Sequence, residues 1–153
     1  MGGRNLKTWE DPAVTDPDTK CMGDDDPLDV CEIGSEQPSF TGQVKPVKVL
    51  GALAVIDQGE TDWKILAIDV RDPLADRIEG PADIDRWMPG LLDSMKYWFT
   101  VYKIPEGKGE NGIGLGGIVK DPLYVHLLIT VMEREVTDDR FAQICYISHQ
   151  RRP

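Results

Sequence analysis

The chain has 153 residues, enough for one domain with a sizeable core and too few for two good ones. Its 41% hydrophobic content is ordinary for a globular protein, but 27 acidic residues against 17 basic ones leave a formal net charge of -10. A uniformly acidic chain repels nucleic-acid backbones and anionic membrane surfaces, so neither is an expected partner, and an anionic substrate would need cations to mediate the encounter. The three cysteines (Cys21, Cys31, Cys145) cannot all pair within one chain, and none sits in a CxxC arrangement. They read as free thiols in a reducing compartment, and the expected location is cytoplasmic. The start, MGGRNLKTWEDP, holds no apolar stretch of signal-peptide length, and Leu6 stands where a myristoylation motif wants Ser or Thr. No run approaches the roughly 18 apolar residues of a membrane span.

In chain order, residues 1–39 are rich in Asp, Pro and Gly and read as loop with at most short strands. Residues 40–57 are rich in β-branched side chains and predict a strand that bends or bulges near Gly51. After the turn QGETD, a second strand is expected from about Trp63 to Val70, making an antiparallel hairpin with a loop of several residues. Residues 82–88 predict a short helical turn opened by Asp83. A clearer helix follows Pro89-Gly90, where Leu91, Met95, Trp98 and Tyr102 recur at helical spacing, Leu92 and Phe99 widen the stripe, and Pro105 stops it. A further helix starts with Asp121 as N-cap and Pro122 at the first helical position, and continues through Leu123, Leu127, Leu128 and Val131. The last twenty residues give no clear pattern. Strands first and helices later predict one α+β domain over 1–153, mainly β: a small barrel with helices packed against it.

The segment GDDDPLDV places Asp24, Asp25, Asp26 and Asp29 within six positions. In extended chain Asp24 and Asp26 point to the same side, and the bend at Pro27 can bring Asp29 round to them. Like charges packed this way raise one another's pKa values unless cations lie between them, and hard divalent ions such as Mg²⁺ supply that compensation through oxygen ligands. A calcium loop fails on spacing, because its sixth position, where Gly is needed, is Asp29. Asp57 ends the first long strand and Asp62 nearly opens the next, with Lys64 two residues on and so on the same face as Asp62. Metals on some oxygens and an ammonium on others are what a phosphate site needs. As a simple surface pair, Asp62 and Lys64 would contribute little.

The stretches TWEDP (8–12), GDDDPLDVCEIGS (23–35), VIDQGETDWKILAID (55–69), PGLL (89–92), WF (98–99) and YKIPEGKGEN (102–111) together resemble the eukaryotic-type family I soluble inorganic pyrophosphatases, in the family's order, from about Thr8 to Lys120. The signature D-x-D-P-x-D followed by an apolar residue is satisfied by Asp24 to Val30. The resemblance implies an OB-like small β-barrel with flanking C-terminal helices, and Mg²⁺-dependent hydrolysis of pyrophosphate to two orthophosphates. Carried over by motif, Asp24, Asp29 and Asp62 would be metal ligands and Asp57 would hold a further metal. Asp26 would orient and deprotonate the attacking water. Lys64, Tyr102 and Lys103 would grip phosphate oxygens, with Lys108 assisting nearby. His126 and His149 fall in no matched motif and read as structural or surface residues.

Family members carry a long segment before TWEDP that supplies barrel strands, an acidic ligand, a lysine, an arginine and tyrosines. MGGRNLK stands in that place, and the sequence shows no counterpart of the arginine or the acidic ligand. An incomplete barrel with open edges is therefore expected. Asp25 stands where the family usually has Asn, adding a negative charge to the site. The run GIGLGGIV replaces an aromatic-rich run and lacks the GK[ST] ending of a phosphate loop. Beside the enzyme reading stands a catalytically impaired fragment or pseudoenzyme that binds metal or pairs with a full-length paralogue; a homodimer is the other expected assembly.

Overall fold

The computed structural model describes residues 2–5, 7–35, 39–40, 42–133 and 144–145. The first third of the chain gives three short strands, β1 (Gly2–Arg4), β2 (Met22–Gly23) and β3 (Asp29–Glu32), as its loop-rich composition predicts. Next come β4 (Val44–Lys45), β5 (Val47–Asp57) and β6 (Glu60–Asp69), then the helices α1 (Pro81–Trp87) and α2 (Leu91–Val101). After them lie β7 (Gly112–Ile113), α3 (Pro122–Met132) and β8 (Ile144–Cys145). The strands form one sheet ordered β4-β8-β1-β3-β6-β5-β7, with β2 pairing the start of β6. This is the expected mainly-β α+β arrangement, an open sheet with helices following. Among the described residues its path ends at β4 on one side and β7 on the other.

The long strand expected over 40–57 begins at Val47, because Pro46 has no N–H to give a ladder and separates β4 from β5. The bend expected near Gly51 is a register shift between Val49 and Gly51. A Cβ on Gly51 would lie 2.6 Å from the Lys120 carbonyl oxygen, so the glycine admits the Lys120 backbone against β5. The β5–β6 loop is shorter than expected. Gln58 and Gly59 both take positive φ (51° and 90°) and close a two-residue turn of the primed kind that matches strand twist. Consequently β6 starts at Glu60, and Asp62 lies inside the strand rather than in the loop.

β5 and β6 are covered on both faces. Ala52, Ala54, Trp63, Ile65 and Ala67 pack towards α3 through Val125 and Leu128. Leu50, Leu66 and Ile68 meet Ile84 of α1 and Leu92 of α2, and Leu53 and Val55 pack with Phe99. The helical stripe read from the sequence packs as expected at Leu91, Leu92, Met95, Phe99 and Tyr102 and departs at Trp98. Leu92 and Phe99 are the buried residues of α2, while Trp98 is 54% exposed and stacks on Tyr102 at 4.7 Å. α1 opens two residues before Asp83, since Pro81 suits the first helical turn. Asp121 caps α3 as expected, its Oδ1 accepting the Tyr124 amide at 2.8 Å. Leu123, Leu127 and Val131 face outwards instead of joining the core. No helix of the described residues is long and apolar enough to cross a membrane.

Candidate active site

Strand register assembles the first part of the site. β3 runs parallel to β6 with Asp29 opposite Lys64, and β1 runs antiparallel to β3 with Arg4 opposite Asp29. A row of cation, anion and cation therefore crosses three strands on one face. Lys64 Nζ donates to Asp29 Oδ2 at 2.6 Å and to Asp62 Oδ1 at 2.6 Å, so the same-face placement read from the spacing holds. The pair is not at the surface: Lys64 is 3% and Asp62 5% exposed. The Phe99 ring lies 5.6 Å from Lys64 Nζ and forms part of its wall.

The aspartate loop is laid beside this row by backbone contacts with the TWEDP segment. The Glu10 amide donates to the Asp26 carbonyl at 2.9 Å, and the Asp25 amide donates to the Glu10 carbonyl at 3.0 Å. Gly23 permits the approach, because a Cβ there would lie 2.4 Å from the Glu10 carbonyl group. Within the loop the Asp26 amide donates to Asp24 Oδ1 at 3.0 Å. Asp25, expected to add charge to the site, instead adopts a left-handed φ of 67° and accepts the Trp9 indole N–H at 2.7 Å. Asp26 is held by the Arg4 guanidinium through two bonds of 3.0 and 3.1 Å, and Arg4 Nε lies 3.3 Å from Asp29 Oδ1. A cationic side chain from MGGRNLK therefore reaches the cluster, although the sequence reading found none there.

The structure brings a further carboxylate, Glu10, against Asp24 and Asp62. One oxygen of each of the three lies within 4.8 Å of the others. Glu10 is buried; its Oε1 accepts the Trp63 amide at 2.9 Å, while Oε2 is buried with no hydrogen-bond partner. A buried carboxylate oxygen without a donor is costly unless protonated or bound by a cation. Three converging carboxylates with one such orphan oxygen fit a hard divalent cation such as Mg²⁺. Sequence reasoning missed Glu10 because it is a single acid in a segment of no periodicity. The available signal was Gly23, directly before the aspartates, which marks a close backbone approach.

Burial pushes the Glu10 carboxyl up to about 9, the Trp63 amide opposing and the Asp24 and Asp62 charges adding. Asp62 is raised to about 6, because burial outweighs the attraction of Lys64. Asp24 is also raised, again mainly by burial. Burial acts to lower Lys64, but Asp62 and Asp29 together outweigh it and keep the ammonium charged. Folded-state values above the unfolded ones mean that the folded state binds more protons. The resulting stability is complete below the unfolded carboxylate range and is lost as pH rises through the raised values. In metal-free buffer the unfolding free energy in urea is expected to fall by several kcal/mol between acid and mildly alkaline pH. Glu10→Gln removes most of that slope; an unchanged slope would show that Glu10 does not titrate as its burial implies.

The remaining predicted residues lie at the neighbouring edge. Asp57, at the end of β5, pairs with Lys103, which follows α2. Asp57 is not in the three-carboxylate group. Lys103 Nζ lies 5.4 Å from the Tyr102 ring, and Lys103 is lowered by burial and then by Lys108. Tyr102 is raised by burial, with the charges of Lys64, Asp62 and Asp29 also acting on its hydroxyl. His126 is exposed on α3, and His149 lies outside the described residues. Cys21 and Cys31 are unpaired.

The family model described as inorganic pyrophosphatase matches residues 5–121. An inorganic pyrophosphatase of Yarrowia lipolytica is 54% identical over 127 residues, 83% of this chain and 44% of the relative. That of Schizosaccharomyces pombe is 52% identical over 123 residues, 80% of this chain and 42% of the relative. Among solved structures, inorganic pyrophosphatase from Schistosoma japonicum superposes with a TM-score of 0.78 at 50% identity, over 82% of this chain and 44% of that one. An N-terminally truncated vacuolar soluble pyrophosphatase of Trypanosoma cruzi, solved in complex with PPi, gives 0.80 at 38% identity, over 86% and 49%. The chain thus spans less than half the length of these relatives, and its open sheet with following helices shares their OB-like fold. With the match running through the aspartate loop, the β5–β6 hairpin and the lysines after α2, the chain belongs to the inorganic pyrophosphatase family.

Proposed function

We propose that the chain hydrolyses pyrophosphate to two orthophosphates in a Mg²⁺-dependent reaction. The observation that carries this reading is the meeting of Glu10, Asp24 and Asp62, with an orphan oxygen on Glu10, beside Asp26 and Lys64. Glu10, Asp24 and Asp62 would hold the metal, with Asp29 beside them as a further ligand. Asp57, paired with Lys103 in the absence of metal, would hold a further metal at the hairpin edge. Mg²⁺, when bound, neutralises the anion and supplies the Lewis acidity that makes water a competent nucleophile at neutral pH.

The chain's own residues do the rest. Asp26 is half exposed; its backbone carbonyl accepts the Glu10 amide, which fixes its base, and its carboxylate, held by Arg4 in the absence of metal, is the candidate general base once released. It accepts the proton of the water that attacks one phosphorus; the bridging P–O bond breaks, and the electron pair leaves with the second phosphate. Lys64, buried and charged, stabilises negative charge on the phosphoryl oxygens from the floor of the site. Lys103 and the Tyr102 hydroxyl bind the outer oxygens, and Lys108 adds positive potential. The unpaired Cys21 and Cys31 suit a reducing cytoplasmic setting. The test is phosphate release from pyrophosphate by the purified, folded chain. Release with Mg²⁺ that stops with chelator is expected; a folded chain that releases none contradicts the reading.

A further inference from the structure

Arg4 lies one residue before the stretch matched by the family model. It is nevertheless part of the sheet. Its backbone is in register with Asp29 on one side and Cys145 on the other, so β1 is pinned between β3 and β8. From that position its fork takes both Asp26 oxygens, at 3.0 and 3.1 Å, and Nε reaches Asp29 Oδ1 at 3.3 Å. The second Asp29 oxygen accepts from Lys64 at 2.6 Å. All four side-chain oxygens of Asp26 and Asp29 therefore face an internal cation. The orphan Glu10 Oε2 has no such partner. The acidic cluster is unevenly compensated: at Glu10 an oxygen is left for an external cation, Lys64 is shared between Asp62 and Asp29, and Asp26 with Asp29 is further neutralised from within by Arg4.

We propose that Arg4 competes with the divalent metal, its guanidinium holding Asp26 and Asp29 until a metal ion displaces it. The inference rests on the metal-dependent reading above. A guanidinium cannot lose its proton at accessible pH, so at neutral pH these oxygens are freed by displacement of Arg4 rather than by its deprotonation. Bidentate bonds to a carboxylate are the stronger kind of ion pair, yet this pair is partly exposed and so screened. The competition is accordingly moderate and shows as weakened metal affinity rather than exclusion of the metal.

Mg²⁺ titrated calorimetrically into the full chain, without pyrophosphate, tests this. Arg4→Gln keeps the strand and removes the charge, and it is expected to bind Mg²⁺ about three- to tenfold more tightly than the parent. Equal or weaker affinity overturns the competition while leaving the metal centre intact, and absence of binding to either chain overturns both. A second measurement uses the unaltered chain, so that a folding defect in the variant decides nothing. Phenylglyoxal labelling of Arg4, resolved by peptide mass, is expected to accelerate several-fold when Mg²⁺ is added. A rate at Arg4 that does not rise with Mg²⁺ contradicts displacement.

Discussion

Asp26→Asn is expected to lower Mg²⁺-dependent phosphate release by about 10²–10⁴-fold, the usual cost of losing a positioned general base. Stability should hardly move. Asp26 is 52% exposed at its side chain, its ion pair with Arg4 is partly solvated, and asparagine keeps one oxygen acceptor for the guanidinium. The backbone bond from the Glu10 amide to the Asp26 carbonyl does not depend on the side chain. The unfolding free energy is therefore expected to stay within about 1 kcal/mol of the parent. Rate and stability measured on one preparation separate the cases. A rate loss that merely tracks unfolding, or a variant that retains most activity, would remove Asp26 from its proposed role.

Lys64→Met is expected, unlike Asp26→Asn, to have a large effect on the fold itself in addition to any loss of rate. Lys64 is the shared cation of Asp29 and Asp62 and is almost wholly buried with Asp62. Methionine fills similar volume but leaves the Asp62 carboxylate without its buried partner. Breaking a buried pair in this way costs about 3–5 kcal/mol, against 0–1 for an exposed one. Urea unfolding in chelator measures the loss. Since Asp62 would then favour its protonated form, the deficit should shrink as pH falls towards the carboxylate range. A loss below about 1 kcal/mol would mean that the pair behaves as a surface salt bridge after all.

The contrast between these residues shows what a linear sequence can and cannot display. Asp24, Asp26 and Asp29 are local, and Pro27 between them is visible, so their proximity is legible. The same holds for Asp62 and Lys64, which share a strand face two residues apart. The Asp121 cap and the irregularity at Gly51 are likewise local signals. Glu10 and Arg4 are not local. Each reaches the cluster only through pairing with chain 15 to 25 residues away, Glu10 with Asp25 and Asp26 and Arg4 with Asp29. Burial was also illegible. Lys64 and Asp62 carry the same letters whether solvated or enclosed, and only the register of β6 between β3 and β5 places them inside. The α2 stripe departs from the reading at Trp98 for a related reason: Trp98 and Phe99 are equally apolar, and the sheet decides which one it covers. The loop after Asp57 was read too long because Glu60, Thr61 and Asp62 are polar, although they pair in register with Asp57, Ile56 and Val55.

The central claim is a divalent-metal centre built on Glu10, Asp24 and Asp62, and the most direct measurement places a metal there. Crystals of the chain grown or soaked with Mn²⁺, an oxygen-seeking stand-in for Mg²⁺, would be measured for anomalous scattering. A peak within coordination distance of all three carboxylates, with Glu10 Oε2 among the ligands, is the predicted result. Well-ordered density for these side chains with no peak among them, or a peak only at other acidic residues, would contradict it.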